Sequence, residues 1–360
     1  MHPVDFAELG LRVGPILLFV VAITVVAELS DAIGLFVLVA RWAAVLGRGS
    51  VLGLWLLIVL LASVATAVLS LDTTAVLLTP VVLVLARRLA LSEELFAFTA
   101  VWLANTASLI LPVSNLTNLL AAGRFRAGGV SFTATMWAPA LAIWAVTVAV
   151  LALVFRARLR GRYQVPTSFP SEDRVLLIIA GMVCAGLGLA FSLGVNVAVA
   201  AVIGALVLVV ACLLRRPRLV GWRLVPWQLV SGVSVLFVIV EIAHANGLGT
   251  WLMSLVGQGT TWTDLVRLAG ISAVGANLVN NLPAYLMLEP TAVDAPERIA
   301  ALLIGVNAGP LITPWASLAT LLWAARCRAA GLNLSWARFA LLGLLLVPLC
   351  LMAGTAALWA

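Results

Sequence analysis

The chain has 360 residues, of which 64% are apolar and only 10% charged, with a mean hydropathy of +1.19 and a net charge of +7. A soluble domain carries about 25% charged residues, so this composition cannot build a water-facing surface; a cytosolic enzyme and a nucleic-acid module are excluded. All 21 basic residues are Arg, and their positions carry the information, because Lys and Arg gather in cytoplasmic loops.

Residues 1–13 are mixed in character and run into an apolar stretch without a small-residue cleavage site, so no cleaved signal peptide is expected. Segments able to cross or enter a ~30 Å hydrocarbon core follow at 14–30, 51–70, 75–90, 95–121, 131–155, 174–192, 195–214, 224–243, 252–279, 282–290, 298–325 and 337–358. Arg41, Arg48, Arg87 and Arg88 flank the 51–90 block. Arg156, Arg158, Arg160 and Arg162 form the strongest basic cluster, followed by Arg215, Arg216, Arg218 and Arg223, then Arg326 and Arg328. Placing these groups inside predicts about eight full spans and two re-entrant hairpins, 51–90 opening inward and 252–290 opening outward. Arg124 and Arg126 then fall outside.

The expected fold is an all-α polytopic membrane protein, an inverted repeat with two re-entrant hairpins and two broken helices. Residues 1–155 form the first repeat: span 14–30, hairpin 51–90, broken helix 95–121 and span 131–155. Residues 156–173 make a cytoplasmic linker. Residues 174–360 form the second repeat: two scaffold spans, span 224–243, hairpin 252–290, broken helix 298–325 and span 337–358. The sequence carries this repeat directly. Asn105 to Leu120 lies over Asn307 to Leu322 without a gap, with the leading Asn, the Leu-Ile pair and the Pro coinciding. Leu71 to Leu78 lies over Asn280 to Met287, which sets Asp72 opposite Asn281, and Val26 to Gly34 lies over Ile239 to Gly247. Inverted repeats with interrupted helices mark secondary transporters.

The interruptions carry the chemistry. Pro removes a backbone donor and clashes with the preceding turn; Asn, Ser and Thr offer the freed backbone other partners. The first half has Asp72, Thr73 and Thr74, then Asn105, Ser114, Asn115, Thr117 and Asn118. The second has Asn277, Asn280 and Asn281, then Asn307, Thr313, Ser317 and Thr320. Broken helices are tolerated at membrane depth where they line a protein-covered or wet cavity, so these residues are expected to converge on one substrate site. Asp72 is the foremost candidate for coupling to protons, because an intramembrane carboxylate is expensive and functional by default; its bland reading is a helix N-cap. Glu28 and Asp31 end the first span, and Glu241 and His244 end its mate. These are candidates for gating, or simply interfacial caps.

Cys184, Cys212, Cys327 and Cys350 lie singly on separate apolar segments and read as small buried hydrophobes, with no metal site, no cofactor and no catalytic group expected. Trp42, Trp222, Trp227, Trp262 and Trp336 lie near predicted boundaries and fit interface anchors.

The motifs resemble those of arsenite efflux pumps of the ArsB type, within the ion-transporter superfamily that includes NhaD-type antiporters and divalent-anion/sodium symporters. Asn307 to Trp323 is similar to the family's Gly-Pro…Thr-Pro-x-x-Ser-Leu-Ala-Thr-Leu-Leu-Trp signature, Thr106 to Asn118 to its Thr-Ala-Ser…Val-Ser-Asn-Leu-x-Asn segment, and Asn280-Asn281-Leu-Pro283 to its Asn-Asn-x-Pro turn. At the first hairpin the family's Asp persists as Asp72, without the neighbouring Asn and Gly. The resemblance implies proton-coupled efflux of arsenite and antimonite across the cytoplasmic membrane of a bacterium. It also implies a homodimer, a soluble pump ATPase as a partner in the family, and Asp72, Thr73, Asn115, Thr117, Asn281, Thr313 and Ser317 around the substrate. Sodium/proton antiport or anion transport on the same fold is the alternative. An intramembrane enzyme is disfavoured, since no paired Asp or Ser–His arrangement is visible.

Overall fold

The computed structural model describes residues 6–165, 173–193, 195–246, 252 and 254–359. The first half contains α1 (Phe6–Ile33), α2 (Leu35–Leu46) and α3 (Val51–Leu69). A second limb follows: the turn α4 (Leu71–Thr73), a π-helical segment (Thr74–Leu78) and α5 (Thr79–Arg88). Then come α6 (Glu93–Thr106), α7 (Leu116–Ala127), α8 (Phe132–Val154) and α9 (Arg156–Leu159). The second half contains α10 (Arg174–Ser192), α11 (Val197–Arg215), α12 (Trp227–Ala245), α13 (Trp262–Val279), α14 (Asn281–Leu288), α15 (Pro296–Ala308), α16 (Leu318–Ala329) and α17 (Trp336–Trp359). Among the described residues six helices are long and apolar enough to cross a membrane, in α1, α3, α8, α10, α11 and α17. One of these, α3, was expected as a hairpin limb; a turn at Ser70, and no shortage of apolar residues, ends it.

The ends are written in the sequence. Ser50, Ser92, Asp173 and Asn196 accept hydrogen bonds from first-turn N–H groups, and Thr261 with Asp264 forms a reciprocal capping box, which satisfies donors that a helix start leaves free. The last turns of α5, α7 and α16 carry Arg87 and Arg88, Arg124 and Arg126, and Arg326 and Arg328, where positive charge meets the negative end of the helix dipole.

Two apolar cores form. The larger gathers α3, α5 to α8 and α13 to α17, with Trp55, Trp102, Trp323, Phe98 and Phe339 fully buried in it. The smaller gathers α1, α10 and α11 and takes Ala65, Ala67, Leu69, Leu77, Leu111 and Val113 from the first half alone. Helix α2 belongs to both: Phe36 lies in the smaller core, and Ala40, Ala43 and Ala44 in the larger.

Helices α7 and α16 have equal length, with Asn115 and Ser317 as their N-caps in extended conformation, at the register Asn105 over Asn307 predicts. They run in opposite directions. Arg87, paired with Glu93 at the start of α6, also donates to the carbonyl of Ala330 just past α16, at 2.7 Å. Arg124 at the end of α7 pairs with Glu289 just before α15, at 2.9 Å. The Arg87 end also holds the Arg338–Glu94 pair, and the bridge between Ser50 and Arg162 lies at the start of α3. At the Arg124 end, Arg298 is sealed and answered by the carbonyls of Gly257, Gly259 and Thr291. Arg124 and Arg298 are thus paired or bonded at this end, and the exposed Arg126 meets the Ala122 carbonyl at 3.4 Å.

Candidate functional site

Each half contributes a hairpin tip and a helix break. At the first tip the chain folds back on itself at Ser70. Thr66 Oγ1 donates to Thr74 Oγ1 at 3.0 Å, although eight residues along a straight helix would span about 12 Å. At the second tip Gly275 lies against Ala284 and Leu288 across Asn280. Both turns use the same backbone: Ser70 has φ 103 and ψ 161, Asn280 φ 107 and ψ 154. That region is one glycine alone occupies comfortably. The shared conformation corrects the sequence register by one residue: Ser70 matches Asn280, so Asp72 matches Leu282 and not Asn281. Low-complexity Leu/Ala matching could not fix the register; the turn does.

The two breaks cross at the centre and are stitched by one side chain. Asn307 Oδ1 accepts from Asn115 Nδ2 at 2.6 Å and from Thr117 Oγ1 at 2.9 Å, while its Nδ2 donates to Asn118 Oδ1 at 2.6 Å. Asn118 in turn donates to the carbonyls of Ser108 and Leu111. Both polar atoms of the Asn307 side chain therefore have partners.

Its mate Asn105 differs. Asn105 donates to the Val101 carbonyl at 2.9 Å, but its Oδ1 is sealed with no partner. The residues aligned with Asn115, Thr117 and Asn118 are Ser317, Ala319 and Thr320, and the two hydroxyls bond to each other at 3.0 Å. Trp323 Nε1 donates to the Ala97 carbonyl. Since α6 and α16 run antiparallel there, Asn105, eight residues further on, stands level with the N-cap of α16.

The second tip is likewise closed. Asn277 donates to the carbonyls of Ala273 and Gly309 and accepts from the backbone N–H of Ile312 and of Thr313, and from the Thr313 hydroxyl. Asn280 Nδ2 donates to the Trp315 carbonyl and Asn281 N to the Ala316 carbonyl. The first tip is open by comparison. Ser70 Oγ donates to Thr73 Oγ1 and Ser114 Oγ to the Ala67 carbonyl, and Asp72 Oδ1 is sealed without a partner. Asp72 is also the only ionisable Asp, Glu, Arg or His within 51–86, 95–123 and 299–325.

Most of the expected residues thus fall into three connected groups, the Asp72 tip, the Asn307 crossing and the Asn277 tip, while Asn105 and the Ser317–Thr320 pair stand outside them. Glu28 and Asp31 are half-buried on α1, with Arg326 of α16 within electrostatic reach of Asp31. The side chains of Glu241 and His244 lie outside the described residues, as does most of the link between α12 and α13. Sequence reasoning missed Thr66, Ser108 and Trp315 as partners, and Thr79 and Trp102 altogether. A cleft of about 970 Å³ opens at the Arg124 end between the two cores and reaches Pro112 in the first break, with Pro15, Phe191 and Arg126 in its walls.

The family model described as "Citrate transporter" matches residues 6–324. The chain is 29% identical over 365 residues to the arsenical pump membrane protein of Yersinia enterocolitica, spanning 94% of this chain and 84% of that one. It is 28% identical over 371 residues to the arsenical pump membrane protein of Escherichia coli K12, with the same shares covered. A crystal structure of the Alcanivorax borkumensis YdaH transporter, described as having an unusual topology, superposes with a TM-score of 0.62 at 15% identity, over 97% of this chain and 84% of that one. The last likeness concerns fold alone. The chain belongs to the citrate transporter family: it is a polytopic membrane transporter, not an enzyme.

Proposed function

From that membership we propose a proton-coupled secondary transporter that exports arsenite and antimonite across a bacterial cytoplasmic membrane, with Asp72 as the coupling group. In this reading the two halves are an inverted repeat, and both hairpins are re-entrant. The observation that carries it is the donor–acceptor character of the centre. What stands unpaired there is acceptor oxygen, on Asp72 and Asn105. A neutral metalloid hydroxide offers O–H donors to such oxygens. A citrate ion brings three carboxylates that need Arg, Lys or a cation, and the helix breaks hold none. The names of the arsenical pump relatives support this substrate, while the description of the family model supports the citrate alternative.

Growth of an efflux-deficient host on arsenite tests the reading. The intact chain should confer resistance and Asp72→Asn should not. No resistance from the intact chain overturns the substrate; equal resistance from the variant overturns the role of Asp72. Everted vesicles under an imposed pH gradient then separate arsenite from citrate and sodium.

A further inference from the structure

Asp72, Thr79, Trp102, Asn105 and Trp262 each bury a side-chain atom without a hydrogen-bond partner, and none of them lines the cleft of about 970 Å³ at the Arg124 end. The transport reading leaves that cleft without an occupant. One wall is made by α7, the turn after it and the start of α8, with Leu119, Leu120, Val130 and Phe132. The other is made by α1, α10 and α11, with Ile16 and Phe191. The spans Gly14–Ile33, Phe132–Val154, Arg174–Phe191 and Val197–Arg215 each have one end in or beside these walls. The mouth of the cleft therefore lies at the level where headgroups meet hydrocarbon. Helix α7 rises about 15 Å between Leu116 and Arg126, one leaflet's share of a ~30 Å core, and Pro112, just before α7, also lines the cleft.

Few occupants suit such a space. Water needs polar partners, and these walls are mostly aliphatic and aromatic. Left empty, the space forfeits the dispersion contacts of its lining. An acyl chain suits both walls, and the charge decides the rest. Arg124 and Arg126 line the cleft, and no Asp or Glu does. Arg124 is answered by Glu289. Arg126 is exposed and, among the described residues, has no carboxylate partner; it meets the Ala122 carbonyl at 3.4 Å. Arg124 already serves the negative end of the α7 dipole. A second Arg, on the side that the charge bias disfavours, calls for an anion of its own. A guanidinium matches phosphate with paired N–H donors, and Ser131 and Thr133 add hydroxyls to the same wall.

We propose that the cleft is the binding site of an anionic phospholipid drawn from the leaflet at the Arg124 end. Its phosphate rests on Arg126, and its acyl chain runs between the two cores toward Pro112. The lipid thus stands between the block that carries the helix breaks and the block of α1, α10 and α11. The inference rests on the chain being a membrane transporter and is independent of the solute it carries.

Native mass spectrometry of the full chain, released from nanodiscs holding equal amounts of phosphatidylglycerol and phosphatidylcholine with the same acyl chains, reads the retained lipid. The parent should prefer phosphatidylglycerol by about fivefold, the contribution of one Arg near a lipid surface, and Arg126→Gln should lose that preference. A Cβ added at Gly123, in the cleft wall, meets nothing within 4 Å, so Gly123→Leu fills the cleft without a clash at its root. It should lose the retained lipid although Arg126 is intact. Equal retention of the two lipids by the parent, an unchanged preference in Arg126→Gln, or parent-like retention in Gly123→Leu each overturns the site. Displacement of the lipid by free glycerol phosphate overturns it as well, because that marks a site for a small solute.

Discussion

The two hairpin tips share a backbone and differ in their wiring. Ser70 and Asn280 adopt nearly the same strained conformation. Around Asn280, the side chains of Asn277 and Asn280 and the backbone of Asn281 bind the tip to the helix break of its own half. Around Ser70 the hydroxyls bond mainly to one another, one hydrogen bond reaches the break, and a carboxylate oxygen is left unanswered. Two tips that turn on the same backbone conformation are thus one locked and one reactive, and only the reactive one runs on into a π-helical segment. Since a sealed polar atom left unpaired costs roughly 1–3 kcal/mol, the reactive tip is retained against stability.

The largest test of this asymmetry exchanges the matched tip residues. Asp72→Asn should bring arsenite resistance down to that of a host without the chain, and Leu282→Ala should keep most of it, as read by growth inhibition. Next come the matched asparagines. Asn307→Leu strands Asn115, Thr117 and Asn118 and should lower unfolding stability by about 3 kcal/mol. Asn105→Leu removes an orphan and should shift it by less than about 1 kcal/mol; thermal unfolding in detergent compares the two.

A methyl group on Gly343 would strike the Leu311 carbonyl oxygen at the second break. Gly343→Ala should therefore cost about 2 kcal/mol in the same assay, whereas Leu141, at the matching place on α8, is half exposed, so Leu141→Ala should cost little. Smallest is the backbone itself. Ser70→Gly relieves strain but gives up the bonds to Thr73, so it should shift stability by less than about 1 kcal/mol, and Asn280→Gly likewise gives up the bond to Trp315.

Much of the architecture was legible in the sequence. Uninterrupted apolar runs placed the long helices, and Pro112 and Pro314 placed the breaks, because composition and missing backbone donors act locally. The register of Asn105 over Asn307 also emerged, since it rests on several side chains of distinct type. The register of the tips did not: their neighbours are interchangeable aliphatic residues, and only the backbone angles of Ser70 and Asn280 fix it. Nor could residue type tell an Asn with both polar atoms bonded from an open one. Asn307 and Asn105 read alike until their partners, Asn115 against Ser317 and Thr117 against Ala319, are brought into contact. Thr79 and Trp102 gave no signal because a buried Thr or Trp ordinarily finds a partner.

Helix α2 is anchored in both cores, with Gly34 at φ 98 before it and Arg48 and Gly49 at φ 50 and 78 after it. It bridges the two blocks, and its twelve residues span about 18 Å at 1.5 Å each.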